Sequence, residues 1–150
     1  METTTNKNLA TLLQLSALTQ YVFPFGNLIF PALLWSLKRN DSEFIDYNGK
    51  QAINFQLSLF LYSFVLIITG VLIFIYTLMD NIDFKMRYGG DFLIEDFSMG
   101  KITWLVMIGI VACCIAVALK VAEFVLIIYA SVKNSKGEKY NYPLTISFIR

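Results

Sequence analysis

Three stretches of this sequence run almost without charge: residues 8–37, residues 51–79, and residues 102–132, which hold only Lys120 and Glu123. A helix of about 20 apolar residues crosses the hydrocarbon core of a bilayer, and each stretch exceeds that length. Lipid offers the backbone no hydrogen-bond partners, so a run of this kind must bond within itself as a helix. The sequence therefore predicts an all-α integral membrane protein with three main transmembrane segments and a single helical membrane domain over residues 1–150.

Composition agrees. Only 15% of residues are charged, against about 25% in soluble domains, and the three stretches leave too little chain for a separate soluble domain. A net charge of +1 gives no basic footprint for nucleic acid. The polar opening METTTNKN is not followed by a short apolar core and cleavage site, so no cleavable signal peptide is expected. Cys113 and Cys114 are adjacent inside the third stretch and read as packing residues rather than a disulfide framework. The absence of histidine removes the usual acid–base residue at neutral pH and the commonest metal ligand. There is no nucleophile–base set, metal cluster or phosphate loop. The expectation is a protein that is not an enzyme and carries no cofactor or metal.

The first stretch is interrupted by Pro24, Gly26 and Pro31, and proline breaks the helical ladder and clashes with the preceding turn. A helix from about Asn8 to Val22, a kink near Pro24–Asn27 and a second half to Leu37 follow. Either the two halves make one kinked crossing or the first half lies at the membrane surface. The second stretch reads as a straight span, and the third as one long tilted helix with Trp104 at an interface. Lys38, Arg39 and Lys50 in the first connection and Lys133, Lys136, Lys139 and Arg150 in the tail outnumber Lys7, Lys85, Arg87 and Lys101 on the other side. The positive-inside rule then places residues 38–50 and the C-terminus in the cytoplasm. Residues 80–101 carry Asp80, Asp83, Asp91, Glu95 and Asp96 around a Gly89–Gly90 turn, without the spacing of a calcium loop.

Lys120 and Glu123 stand three apart on one helical face, and charges at bilayer depth usually turn inward and pair. Gly109, Cys113 and Ala116 lie on the same stripe, where small residues let another helix approach. Asn54, Ser58 and Tyr62 recur along the second stretch at a similar depth, so a polar seam between the second and third helices is expected. That seam serves either as interhelical glue or as a path for a proton or solute. In the tail, Pro143, Leu144, Ile146 and Phe148 alternate with polar residues, as in an extended surface segment. It is expected to dock near Gly49, Gln51 and Asn54, with Gly49 supplying a tight turn before the second helix.

Three blocks, PFGNLIFPALLWSLK (24–38), DYNGKQAINFQ (46–56) and KGEKYNYPLTI (136–146), resemble a family of small bacterial membrane proteins grouped with the twenty-kilodalton component of the chloroplast inner-envelope import translocon. The resemblance implies three to four hydrophobic helices in a bacterial plasma membrane and no settled activity. Members often carry a histidine before the run found here at Leu15–Leu18, where this sequence has Gln14.

Together these readings predict a multi-pass, non-enzymatic assembly or translocation accessory. Its partners would be the lipid bilayer and either other proteins or further copies of the chain. The alternative is a small oligomeric transporter or channel lined by Lys120, Glu123 and Tyr62.

Overall fold

A computed structural model describes residues 2–81 and 99–150. Its elements are α1 (Thr4–Leu15), a 3-10 segment (Ser16–Tyr21), α2 (Gly26–Lys38), α3 (Glu43–Asn81) and α4 (Met99–Ser135), followed by an extended tail. No strand occurs among the described residues. The acidic connection and its Gly89–Gly90 turn lie outside them.

Two helices, α3 and α4, are long and apolar enough to cross a membrane. At 1.5 Å per residue they run about 58 and 55 Å. The first stretch divides differently from the expected kinked crossing. α1 has 12 residues and α2 has 13, about 18 and 20 Å, so neither reaches across a ~30 Å core. The break falls at Val22–Phe25. Phe25 takes a left-handed backbone (φ 61°), which costs a residue with a side chain roughly 1–2 kcal/mol. Gly26 then starts α2 so close to Thr19 that a Cβ would stand 2.8 Å from that residue's carbonyl carbon.

Local chemistry fixes the helix ends. Thr3 accepts from the Asn6 amide at the start of α1 (3.2 Å), and Ser42 accepts from Phe44 at the start of α3 (3.1 Å). Both bonds satisfy donors that a helix start leaves open. α4 ends in a left-handed Gly137 (φ 86°), with the Gly137 amide on the Asn134 carbonyl and Glu138 on Lys133, the pairing of a Schellman cap.

The chain divides into two compact units. The first joins Met1–Tyr62 to Leu119–Arg150; the second is Ser63–Ala118. In the first unit α1 runs antiparallel to the end of α4. Ala10 accepts from Asn134, Thr11 donates to the Ser131 carbonyl, and Gln20 reaches Glu123. α2 runs antiparallel to the start of α3, with Asn27 donating to Gln56 (2.8 Å) and Trp35 to Asp46 (2.9 Å). The core holds Ala17, Phe55, Ile127, Ala130 and Tyr142. The second unit carries exposed apolar side chains along both helices, among them Phe64, Ile67 and Leu72 on α3 and Val106, Ile110 and Val111 on α4.

Gly49 corrects the sequence reading. It is not a turn before a helix that starts near Gln51; α3 begins at Glu43 and Gly49 sits within it. A Cβ there would lie 2.8 Å from Cγ of the Trp35 indole, so the glycine permits α2 to close on α3. Gly49→Ala should destabilise the protein by about 1–3 kcal/mol, the usual cost of overpacking, measured by denaturant unfolding in detergent. Gly70→Ala meets nothing within 4 Å and should be neutral or slightly stabilising.

Candidate functional site

The residues that carry most of the buried polar chemistry are amides and hydroxyls rather than ionisable groups. Gln14, Asn48, Asn54, Gln56, Ser58 and Asn134 are all nearly inaccessible. A buried polar group without a partner is costly, and the first unit resolves this by wrapping its tail over α3. Asn48, Asn54, Ser58 and Tyr62 lie along one face of that helix. The Tyr140 amide donates to Asn48 Oδ1 (3.1 Å). Tyr62 donates to the Leu144 carbonyl (2.6 Å) and Ile146 donates to Ser58 Oγ (2.8 Å). Asn54 accepts from Phe148 and Ile149 and returns a bond to the Ile149 carbonyl (2.9 Å). The tail thus passes from the level of Asn48 to that of Tyr62, turns at Leu144 (φ 57°), and comes back to Asn54.

Side chains anchor the same segment. Tyr142 stacks on Phe55 with ring centroids 4.1 Å apart, and Tyr140 stands edge-on between Tyr142 and Tyr129. The buried Tyr142 hydroxyl donates to Gln14 Oε1 (2.6 Å), while Gln14 Nε2 donates to the Asn48 carbonyl (3.3 Å). One amide therefore joins α1, α3 and the tail. Burial pushes the Tyr142 phenol well above its usual range, and burial likewise raises Tyr140. At the surface Lys139 pairs with Glu43 (2.6 Å), and that hydrogen bond holds the ammonium above its ordinary value.

Lys120 and Glu123 form an ion pair (2.8 Å). Glu123 is 2% exposed and Lys120 58%. Their further partner is Gln20, which donates to Glu123 Oε1 (2.9 Å) and accepts from Lys120 (3.0 Å). The expected seam is therefore two separate arrangements. Lys120 and Glu123 meet the 3-10 segment, whereas Asn54, Ser58 and Tyr62 bind the tail backbone. The tail's apolar residues also differ from expectation. Leu144 is 84% exposed, and Pro143 and Ile146 face outward too. The main chain docks, not the apolar face. Gln51 contributes a buried Oε1 with no hydrogen-bond partner and lines a cavity of about 360 Å³ with Glu43, Tyr47 and Arg150. A neighbouring cavity of about 340 Å³ is lined by Trp35, Arg39 and Asn40, with Asp46, Lys50, Ile149 and Arg150 common to both. Gly109, Cys113 and Ala116 are exposed on α4. Among the described residues no group of His, Cys, Asp and Glu could hold a metal ion.

Sequence reasoning assigned no bonding role to Gln14 or Gln20 and did not single out Asn48, Tyr140 or Tyr142. The two-residue spacing of Tyr140 and Tyr142 was the available signal, since it sets both rings on one side of an extended chain.

The family model for magnetosome magnetite crystal formation proteins, MamF/MmsF, matches residues 5–149. No curated protein and no solved structure matches the chain. The family match overturns the resemblance to relatives of the chloroplast translocon component. The blocks that suggested it form α2, the start of α3 and the tail, the three pieces that assemble around Trp35, Gly49 and Tyr142.

Asn54→Leu should free the end of the tail. Exchange of the Phe148 and Ile149 amides should accelerate about tenfold or more by hydrogen-exchange mass spectrometry, the effect of losing about 1–2 kcal/mol of bonding. The raised Tyr142 phenol also sets an alkaline limit. Its contribution to stability is complete below the unfolded tyrosine pKa of about 10 and is lost as pH rises above that value. Tyr142→Phe should be less stable at pH 7, leaving Gln14 Oε1 unpaired, but should show a shallower stability loss between pH 9 and about 11. An unchanged alkaline slope would count against this role.

Proposed function

From the premise that this chain belongs to the MamF/MmsF magnetosome magnetite crystal formation protein family, we propose that it is a non-enzymatic, multi-pass membrane accessory of magnetite crystal formation. α3 and α4 cross the bilayer, and residues 38–50 and the tail lie in the cytoplasm. The family's association with magnetite crystal formation favours the membrane enclosing the growing crystal over the plasma membrane at large. Its partners are lipid and other proteins or copies of the chain, met through its exposed helical surfaces.

One observation supports the non-enzymatic reading: the polar side chains of the expected seam bond to one another or to the tail. Lys120, Glu123 and Gln20 close on themselves, and Ser58 and Tyr62 hold tail backbone. The same observation weighs against a solute path through Lys120, Glu123 and Tyr62. Scaffolding by a folded membrane head accounts for these bonds more simply.

Deleting the gene should change the size or shape of magnetite crystals seen by electron microscopy. A copy with Gly49→Trp, which cannot seat against Trp35, should fail to restore them, whereas a Gly70→Ala copy should succeed. Unchanged crystals in the deletion strain would remove the assignment. Flux through proteoliposomes that is abolished by Glu123→Gln, in a variant of normal stability, would replace it with transport.

A further inference from the structure

We propose that the first apolar stretch does not cross the membrane: it enters the leaflet that faces residues 38–50 and the tail, turns at Tyr21–Phe25 where the headgroups meet the acyl chains, and leaves on the side it entered. The proposal rests on the membrane reading above.

The two arms of this stretch share a direction-reversing geometry. α1 descends along α4 from Asn134 to Glu123, through the Ala10, Thr11 and Gln20 contacts. α2 returns along α3 from Gln56 to Asp46, through the Asn27 and Trp35 bonds. Both free ends, Thr4 and Lys38, therefore stand at the end of the unit that holds Glu43, Lys133 and Lys139. The turn stands at the level of Lys120 and Glu123, to which Gln20 is bonded.

The uncharged lengths of α3 and α4 in the second unit each match one hydrocarbon core. Between Lys101 and Lys120 the sequence has 18 uncharged residues, and between Tyr62 and Asp80 it has 17. These correspond to about 27 and 26 Å of helix, against a core of ~30 Å. Lys120, 58% exposed, then sits where its ammonium can reach the headgroups. A third crossing by the first stretch would need chain that this geometry has already turned back.

The occupant of the turn follows from its surface. Val22 is 92% exposed, Phe25 63%, Tyr21 60% and Phe23 52%, four apolar or aromatic side chains within five residues, with Pro24 between the last two and no charge among them. Phe25 also holds a left-handed backbone (φ 61°), where glycine would fit without strain. Its exposed ring offers no compensation within the chain, but does so within hydrocarbon. On α3 in the same unit, Phe60 and Leu61 are exposed apolar side chains as well.

The test uses the full chain with Cys113→Ala and Cys114→Ala in lipid nanodiscs, with a nitroxide on Val22→Cys, Leu72→Cys or Thr5→Cys. Collision with oxygen reports lipid, and collision with a water-soluble nickel chelate reports solvent. Leu72 should be oxygen-favoured, Val22 oxygen-favoured but shallower, and Thr5 nickel-favoured. In sealed vesicles, an impermeant maleimide should reach Thr5→Cys and Lys136→Cys from the same side. Val22 in water with Leu72 in lipid would overturn the insertion alone. Leu72 in water would overturn it together with the membrane reading. Val22 as deep as Leu72, or Thr5 and Lys136 on opposite sides, would restore a crossing and end the proposal.

Discussion

A polar amide sealed from water must find partners inside the protein, and the first unit is organised around meeting that requirement at Gln14. Its carboxamide has one acceptor and one donor to satisfy. It takes the Tyr142 hydroxyl on one side and gives to the Asn48 carbonyl on the other. Remove any of the three segments and the other two keep an unpaired group in an apolar core. Asn54 repeats the logic with three bonds to the tail. Matched donors and acceptors thus add to the close packing of Gly49 on Trp35 and of Phe55 on Tyr142 in holding the short helices in place.

The helices themselves were legible. The second and third uncharged stretches became α3 and α4 because a long run without charge or proline has one stable form in lipid. The break in the first stretch was legible too, through Pro24 and Gly26. Its consequence was not. Whether a broken stretch passes onward or doubles back depends on which neighbours its two arms find, and contacts such as Gln20 with Glu123 join residues 103 apart in sequence.

The candidate site was legible in identity and misread in direction. Asn54, Ser58 and Tyr62 stood out as a polar stripe, and so did Lys120 and Glu123. Equal depth suggested that the two met. Depth gives one coordinate only; the angle around each helix decides the partner, and it turned the first group to the tail and the second to the 3-10 segment. The alternation in the tail misled for a related reason. Periodicity assigned Leu144 and Ile146 to a buried face, but the bonds are made by their main-chain groups, which carry no sequence signature.

The tail also sets an order of events. Ser58 and Asn54 receive partners that lie 88 to 95 residues further along the chain. At ribosomal rates of about 5–20 residues per second, Asn54 and Ser58 are made roughly 5–20 s before residues 146–149. Through that interval the two side chains lack the tail groups that pair with them in the fold. Completion of the first unit is thus a late step timed by translation, and a ribosome stalled before Tyr140 would leave its helices without the tail that joins them.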